Sequence, residues 1–153
     1  MRILLFLALF LAVLCPVSGA FAQSISTTQA LDFGEAVLLD NTAVREIILD
    51  QDASYSSDPE YVFVTNPVPG IYQLTGELPF RAIVSVTIVV DQQMLGAGHQ
   101  FTIDNFDIDH PPATNGSGEA TIRVGARMQS SGTGSTYPTS TSFVGDLELS
   151  VNY

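Results

Sequence analysis

The C-terminal stretch constrains the fold more than any other part of the chain. It reads Gly145-Asp146-Leu147-Glu148-Leu149-Ser150-Val151-Asn152-Tyr153. In an extended backbone Leu147, Leu149, Val151 and Tyr153 fall on one side, and Asp146, Glu148, Ser150 and Asn152 on the other. A period of two marks a β-strand with one buried and one wet face. Such a strand needs a neighbour for its backbone N–H and C=O groups and an apolar layer for its inner face. The rest of the chain therefore has to supply a sheet.

Further β signals run along the sequence. Ile25, Thr27, Gln29, Leu31 and Phe33 alternate loosely as far as Gly34. Val44 to Leu49 is an apolar run between Asn41 and Asp50. Tyr61 to Thr65 follows Pro59 and stops at Asn66-Pro67. Ile71 to Thr75 lies between Gly70 and Gly76. Ala82 to Val90 is the densest in β-branched residues and is expected to be a central strand. Phe101 to Ile108 follows Gly96-Ala97-Gly98, and Glu119 to Met128 follows Asn115-Gly116-Ser117-Gly118. No segment carries a helical period and none repeats another. About 7–9 short strands with turn residues between them predict an all-β fold, an antiparallel β-sandwich. Gln129 to Ser142, rich in Ser, Thr and Gly, reads as a long flexible loop or a frayed edge.

The N-terminus sets the expected compartment. Met1-Arg2 precedes an unbroken apolar run from Ile3 to Cys15, short for a bilayer span. Pro16 ends it, and Ala20-Phe21-Ala22 before Gln23 fits a signal-peptidase site. Residues 1–22 are therefore expected to be a secretory signal peptide and residues 23–153 a single β-sandwich domain, exported to the periplasm, cell surface or medium. The length of the run argues against an uncleaved anchor. Leu14 and Pro16 around Cys15 fit a lipoprotein signal poorly. Cys15 is the one cysteine in the sequence, so the domain is expected to hold together without disulfides.

The charge is lopsided: 5 Lys+Arg, all of them Arg, against 16 Asp+Glu, a net charge of −11. Loss of Arg2 with the signal makes it one unit more negative. That balance argues against nucleic acid and anionic membrane surfaces, which need basic patches. No second apolar segment of spanning length follows, so no membrane span is expected after signal cleavage.

Several motifs together resemble a known family: Leu31-Asp32-Phe33-Gly34, then Phe101-Thr102-Ile103-Asp104-Asn105-Phe106, then Gly118 and Val124-Gly125-Ala126, and finally Gly145 with Val151-Asn152-Tyr153. Their order is similar to that of a bacterial secreted family, the domain of unknown function DUF 4402. Its pattern runs from an early L-D-F-G through a strand ending near N-F and a V-G-A-x-L strand to a terminal V-N-Y. The resemblance covers essentially all of residues 23–153. Phe143-Val144-Gly145 stands where the family has Tyr-x-Gly, and Met128 where Leu is common. The terminal strand is also similar to those of spore-coat-U-like and chaperone–usher pilin subunits. The resemblance implies an immunoglobulin-like, pilin-like sandwich with a structural or adhesive role at the cell surface. Further copies or other subunits and a periplasmic chaperone would be its partners, and Leu147, Leu149, Val151 and Tyr153 its partner strand. One feature fits a pilin poorly: only Gln23 to Ala30 precedes the opening motif, with Ile25 its one strong anchor. That is short for a strand donated to a neighbour. An outer-membrane barrel fits less well, because Ala82 to Val90 is nearly continuously apolar instead of alternating.

The L-D-F-G motif has a structural reading of its own. Leu31 and Phe33 would point into the core, Asp32 would face out or cap a turn, and Gly34 would allow a positive-φ exit.

Two acidic clusters are weak metal candidates. Asp50, Asp52, Asp58 and Glu60 crowd one loop, as a calcium site would require. Counted from Asp50, however, Tyr55 stands at the EF-hand glycine position and Tyr61 at the glutamate position. The alternative is a solvated loop. On a regular strand Asp107 and Asp109 would share a face with Asn105, and Asp104 and His110 would lie on the other with Phe106 and Ile108. His110-Pro111-Pro112 reads as a strand terminator, and His99 as a surface residue after a glycine-rich turn. No cofactor is expected. Residues 23–153 hold no cysteine nucleophile, no lysine, no Gly-x-Ser-x-Gly elbow, no His-Glu-x-x-His and no phosphate loop, so an enzyme is not expected. The alternative to a surface subunit is a small extracytoplasmic module that binds calcium or carbohydrate.

Overall fold

The computed structural model of the chain describes residues 23–90, 93–96, 99–138 and 141–153. The signal-peptide reading of residues 1–22 falls outside them. The described residues form an all-β, antiparallel fold with no helix among them. The strands are β1 (Ser24–Gln29), β2 (Ala36–Leu38), β3 (Glu46–Leu49), β4 (Tyr55–Ser57), β5 (Tyr61–Phe63), β6 (Gly70–Thr75), β7 (Ser85–Val90), β8 (Gln93–Gly96), β9 (His99–Asp109), β10 (Ala120–Gln129) and β11 (Leu147–Asn152). β2, β4 and β8 add to the strands expected from sequence. They are three or four residues long, too short for a period of two to stand out.

β10 organises a seven-stranded sheet. One edge of β10 runs along β9, which pairs in turn with β8. The other edge is shared: Ala120–Val124 pair with β6, and Ala126–Gln129 with β3. β1 lies outside β6, and β4 outside β3. Gly125 sits where the partner changes. A Cβ there would lie inside contact distance of the Leu49 carbonyl oxygen and 2.7 Å from the Asp50 carbonyl carbon. Glycine at this point lets β3 begin where β6 ends.

Two ribbons cover the inner face of this sheet. β2 pairs with β5, and β7 with β11. Under the first ribbon lie Phe33, Ile47, Leu49, Tyr61, Phe101, Ala126 and Met128, with Ala36, Leu38 and Phe63 packed against them. Under the second lie Tyr72, Leu74, Ile83, Val86, Ala120, Ile122 and Val124, with Leu147, Leu149, Val151 and Tyr153 packed against them. Ile47, Leu49, Leu74, Ile122 and Val124 are fully buried. They alternate along β3, β6 and β10, the strands that carry both core clusters.

The Ala82–Val90 run is corrected in position. Its strand begins at Ser85 and forms half of a two-stranded ribbon, with no central place. Val84 and Val89 are exposed. β-branched density reports a preference for extended backbone, whereas the centre went to β10, whose alternation matches neighbours on both edges.

The L-D-F-G motif behaves as read. Phe33 is buried, and Leu31 packs against the same cluster. Asp32 Oδ1 accepts a hydrogen bond from the Gly34 N–H at 2.9 Å, and Gly34 has φ +77°. Within Gln129–Ser142, residues 130–138 carry no strand but are pinned. The buried Asn41 donates to Ser131 Oγ and to the Ser135 carbonyl, and Tyr137 OH donates to the Gln100 carbonyl at 2.8 Å. The Tyr137 ring stacks on Phe101 at 4.5 Å between centroids.

Candidate strand-pairing site

The terminal alternation becomes β11, paired in antiparallel register with β7 from Leu147 opposite Val90 to Asn152 opposite Ser85. Leu147, Leu149, Val151 and Tyr153 all turn inward onto the second core cluster. Glu148, Ser150 and Asn152 face outward and are exposed. Among the described residues no strand lies along the other edge of β11. A strand paired on one side presents a row of unpaired backbone N–H and C=O groups on the other.

An apolar cleft of about 520 Å³ lies at the start of β11. Leu31 to Phe33, leading into β2, form one wall, and Ser142 to Leu147, leading into β11, form the other. Tyr72, Met94, Ile103 and Phe106 also line it. Among the described residues of the β7–β11 ribbon only Leu147, at the start of β11, lines the cleft. The lead-in reaches this place by crossing from the large sheet: Val144 bridges Leu95 of β8 through both backbone bonds, at 3.0 and 3.3 Å. Gly96 lets it pass, since a Cβ there would lie 2.6 Å from the Ser142 carbonyl oxygen.

Tyr153 is clamped at the far end of the strand. Gln23 Nε2 donates to its hydroxyl at 2.9 Å. The Arg81 guanidinium stands 4.1 Å from its ring centroid, and Arg81 pairs with the buried Glu77 at 2.8 Å. Burial, then the Glu77 carboxylate, push the Tyr153 phenol up to about 12. Sequence reasoning found the four inward side chains of the strand but not the clamp or the cleft. Phe143 and the L-D-F-G motif hinted at the cleft walls; nothing local to Arg81 signals its partner seventy-odd residues away.

The acidic loop does not converge. Asp50 Oδ2 accepts from Ser54 Oγ and Asp52 Oδ1 from the Ser54 N–H; the Ser54 side chain, then its N–H, hold the Asp52 carboxyl below its usual range. Asp58 Oδ2 takes the Glu46 N–H, and Glu60 pairs with Arg45 at 3.2 Å. Asp50 and Asp52 both take Ser54, while Asp58 and Glu60 turn to Glu46 and Arg45, and no group of three or more His, Cys, Asp or Glu among the described residues is placed to hold a metal ion.

The expected split of the β9 acids between two faces is overturned. A bulge between the pairs Gly125↔Asp107 and Arg127↔Asp104 inserts one extra residue, and Asn105 there has φ +48°. The parity resets, so Phe101 and Ile103 point inward before the bulge, and Phe106 and Ile108 after it. Asp104, Asp107 and Asp109 all face outward, opposite Arg127, Gly125 and Arg123. Asp104 takes a two-pronged bond from Arg127, at 2.7 and 2.9 Å. Asp107 Oδ2 accepts from the Gln51 N–H at 3.1 Å. His110 follows the end of β9, as the Pro-Pro exit implied, and His99 packs 5.1 Å from the Tyr137 ring.

No family model, no curated protein and no solved structure matches the chain.

Proposed function

We propose that this chain is an exported structural or adhesive subunit of the cell surface, of the fimbrial kind, and that it works by strand pairing and not by catalysis. The observation that carries the reading is the open edge of β11, with an apolar cleft at its Leu147 end. An incoming extended segment would find backbone partners along the edge and apolar walls for its alternate side chains. The family resemblance belongs to the same proposal, as do the immunoglobulin-like form of the sandwich and a chaperone that shields the edge before assembly. Gln23 to Ala30 does not act as a free donor arm in this reading, because β1 already pairs with β6 of its own chain. The arriving strand comes from another copy, another subunit or a chaperone.

The test is assembly in the exporting cell. Phe143→Ser in the cleft wall should leave export intact and abolish boiling-sensitive oligomers at the surface. A native chain that stays monomeric at the surface, whatever the cleft carries, would sink the proposal.

A further inference from the structure

The turn between β9 and β10 takes no part in strand pairing. It carries Asn115-Gly116, the one Asn-Gly pair in the chain. The other four asparagines are followed by Thr42, Pro67, Phe106 and Tyr153. Asn115, Gly116 and Ser117 are exposed, so water reaches them.

The Asn115 side-chain amide is held at both ends. Its Oδ1 accepts from the Ser117 N–H at 2.8 Å and from the Glu119 N–H at 3.0 Å. Its Nδ2 donates to Glu119 Oε2 at 3.2 Å. The Gly118 N–H donates to the Asn115 backbone carbonyl at 3.0 Å. Of the four N–H groups from Gly116 to Glu119, that of Gly116 is the one without a partner among the described residues. Gly116 also has no side chain to shield its nitrogen.

These groups meet the needs of one reaction. When the Gly116 nitrogen attacks the Asn115 Cγ, a ring closes and negative charge grows on Oδ1. Two backbone N–H groups already point at that oxygen, as in an oxyanion hole. The Glu119 carboxylate sits on the nitrogen that must depart, where it can hand over the proton that Gly116 gives up. We propose that Asn115 and Gly116 form a self-modifying site, whose turn promotes its own deamidation. A bond forms between Asn115 Cγ and the Gly116 nitrogen, and the bond from Cγ to Nδ2 breaks. Nδ2 takes the proton from Gly116 and leaves as ammonia. A water molecule then opens the succinimide and leaves aspartate or isoaspartate at position 115. No electrons are transferred, and water is the one reagent consumed.

The products alter the turn. Aspartate puts a carboxylate where Nδ2 donated to Glu119, so a hydrogen bond becomes a like-charge contact. Isoaspartate adds a carbon to the main chain beside the carbonyl that accepts the Phe80 N–H at 3.3 Å. The tie between this turn and the loop from β6 to β7 thus loosens as the protein ages. The site is independent of the β11 reading and survives if strand pairing fails.

The test follows position 115 in the purified chain, native and unfolded in guanidinium, in neutral buffer. Mass spectrometry reads the loss of the amide, and isoaspartyl methyltransferase counts isoaspartate. The native chain should convert Asn115 to both products at least as fast as the unfolded chain does. Glu119→Gln keeps an oxygen for the Nδ2–H but carries no proton. Native Glu119→Gln should convert about tenfold more slowly than the parent, while unfolded Glu119→Gln keeps the parent's rate. Gly116→Ala should also slow the native chain, and it fits the fold, because the added Cβ would meet only Phe80 Cζ, at 3.5 Å. Slower conversion in the native chain than in the unfolded one, or aspartate without isoaspartate, overturns the proposal. So does either native variant converting as fast as the parent.

Discussion

Replacing Gly125 with alanine tests the branch in β10 directly. The added Cβ would press on the Leu49 carbonyl oxygen and lie 2.7 Å from the Asp50 carbonyl carbon and 2.8 Å from the Gln51 nitrogen. All three are backbone atoms, so no rotamer change relieves the clash. Ordinary contact needs about 3.4–4.0 Å, so the end of β3 would have to retreat by about 1 Å or more. β3 cannot do so freely, because Ile47 and Leu49 are fully buried and its ladder to β10 ends at this point. Overpacking against immobile backbone puts the loss at about 3 kcal/mol, a large part of the ~5–15 kcal/mol that holds such a domain together. At about 3–4 °C per kcal/mol for a domain of this size, melting should fall by roughly 10 °C. Gly134→Ala is the control. Nothing lies within 4 Å of a Cβ there, and only its φ of +76° opposes the change, which costs about 1–2 kcal/mol. Thermal melts followed by circular dichroism compare the two. If Gly125→Ala melts with the parent protein, or no lower than Gly134→Ala, then β10 does not branch as described.

Other outcomes follow from the same geometry. Arg127 holds the Asp104 carboxyl below its ordinary 3.8, so the pair stabilises the fold above the unfolded-state value and the contribution fades as pH falls through the lower folded one. Asp104→Asn should therefore lose about 1 kcal/mol in urea melts at pH 7 and progressively less as the pH is lowered below the unfolded-state value; an equal loss throughout would show that charge is not the cause. Burial is the first cause raising the phenols of Tyr61, Tyr72 and Tyr153, so their contribution is whole below pH 10 and lost as pH climbs through the folded values. Spectrophotometric titration should show phenolate absorbance from these three arriving late and together with unfolding, and simple titration of the three near pH 10 would contradict this. Calcium should not raise the melting temperature, since Asp50 and Asp52 are taken up by Ser54, Asp58 by the Glu46 N–H and Glu60 by Arg45; a rise abolished by Asp50→Ala with Asp52→Ala would restore the binding-module reading.

The strands that carry the cores were legible because each buries one face. β6, β10 and β11 alternate in the sequence as they do in space. Gly34 was legible through the turn it allows. What the sequence left open were relations between distant segments. A bulge at Asn105 moved Asp104 onto the face of Asp107 and Asp109, and no local pattern announces one extra residue opposite Ala126. Ala82 to Val90 resembled a centre because composition reports burial and extension, while centrality depends on how many neighbours a strand finds. Asn41 and Tyr137 turn an expected slack loop into a pinned one through hydrogen bonds that reach across as many as 94 and 37 positions of chain. For the site, the inward face of β11 was readable. Its open edge and the cleft are properties of the assembled chain, the cleft being lined by segments as far apart in sequence as Leu31 to Phe33 and Ser142 to Leu147.

The most direct measurement of the central claim is the mass of the exported chain, Gln23 to Tyr153, by light scattering, with and without a synthetic peptide of alternating apolar and polar residues. Hydrogen exchange across Leu147–Asn152 would be read in the same samples. An edge that pairs predicts association of the chain alone. It also predicts a return to one copy when peptide saturates the site, with new protection along β11. A monomer that gains no protection at any peptide concentration would show that β11 simply closes the sheet.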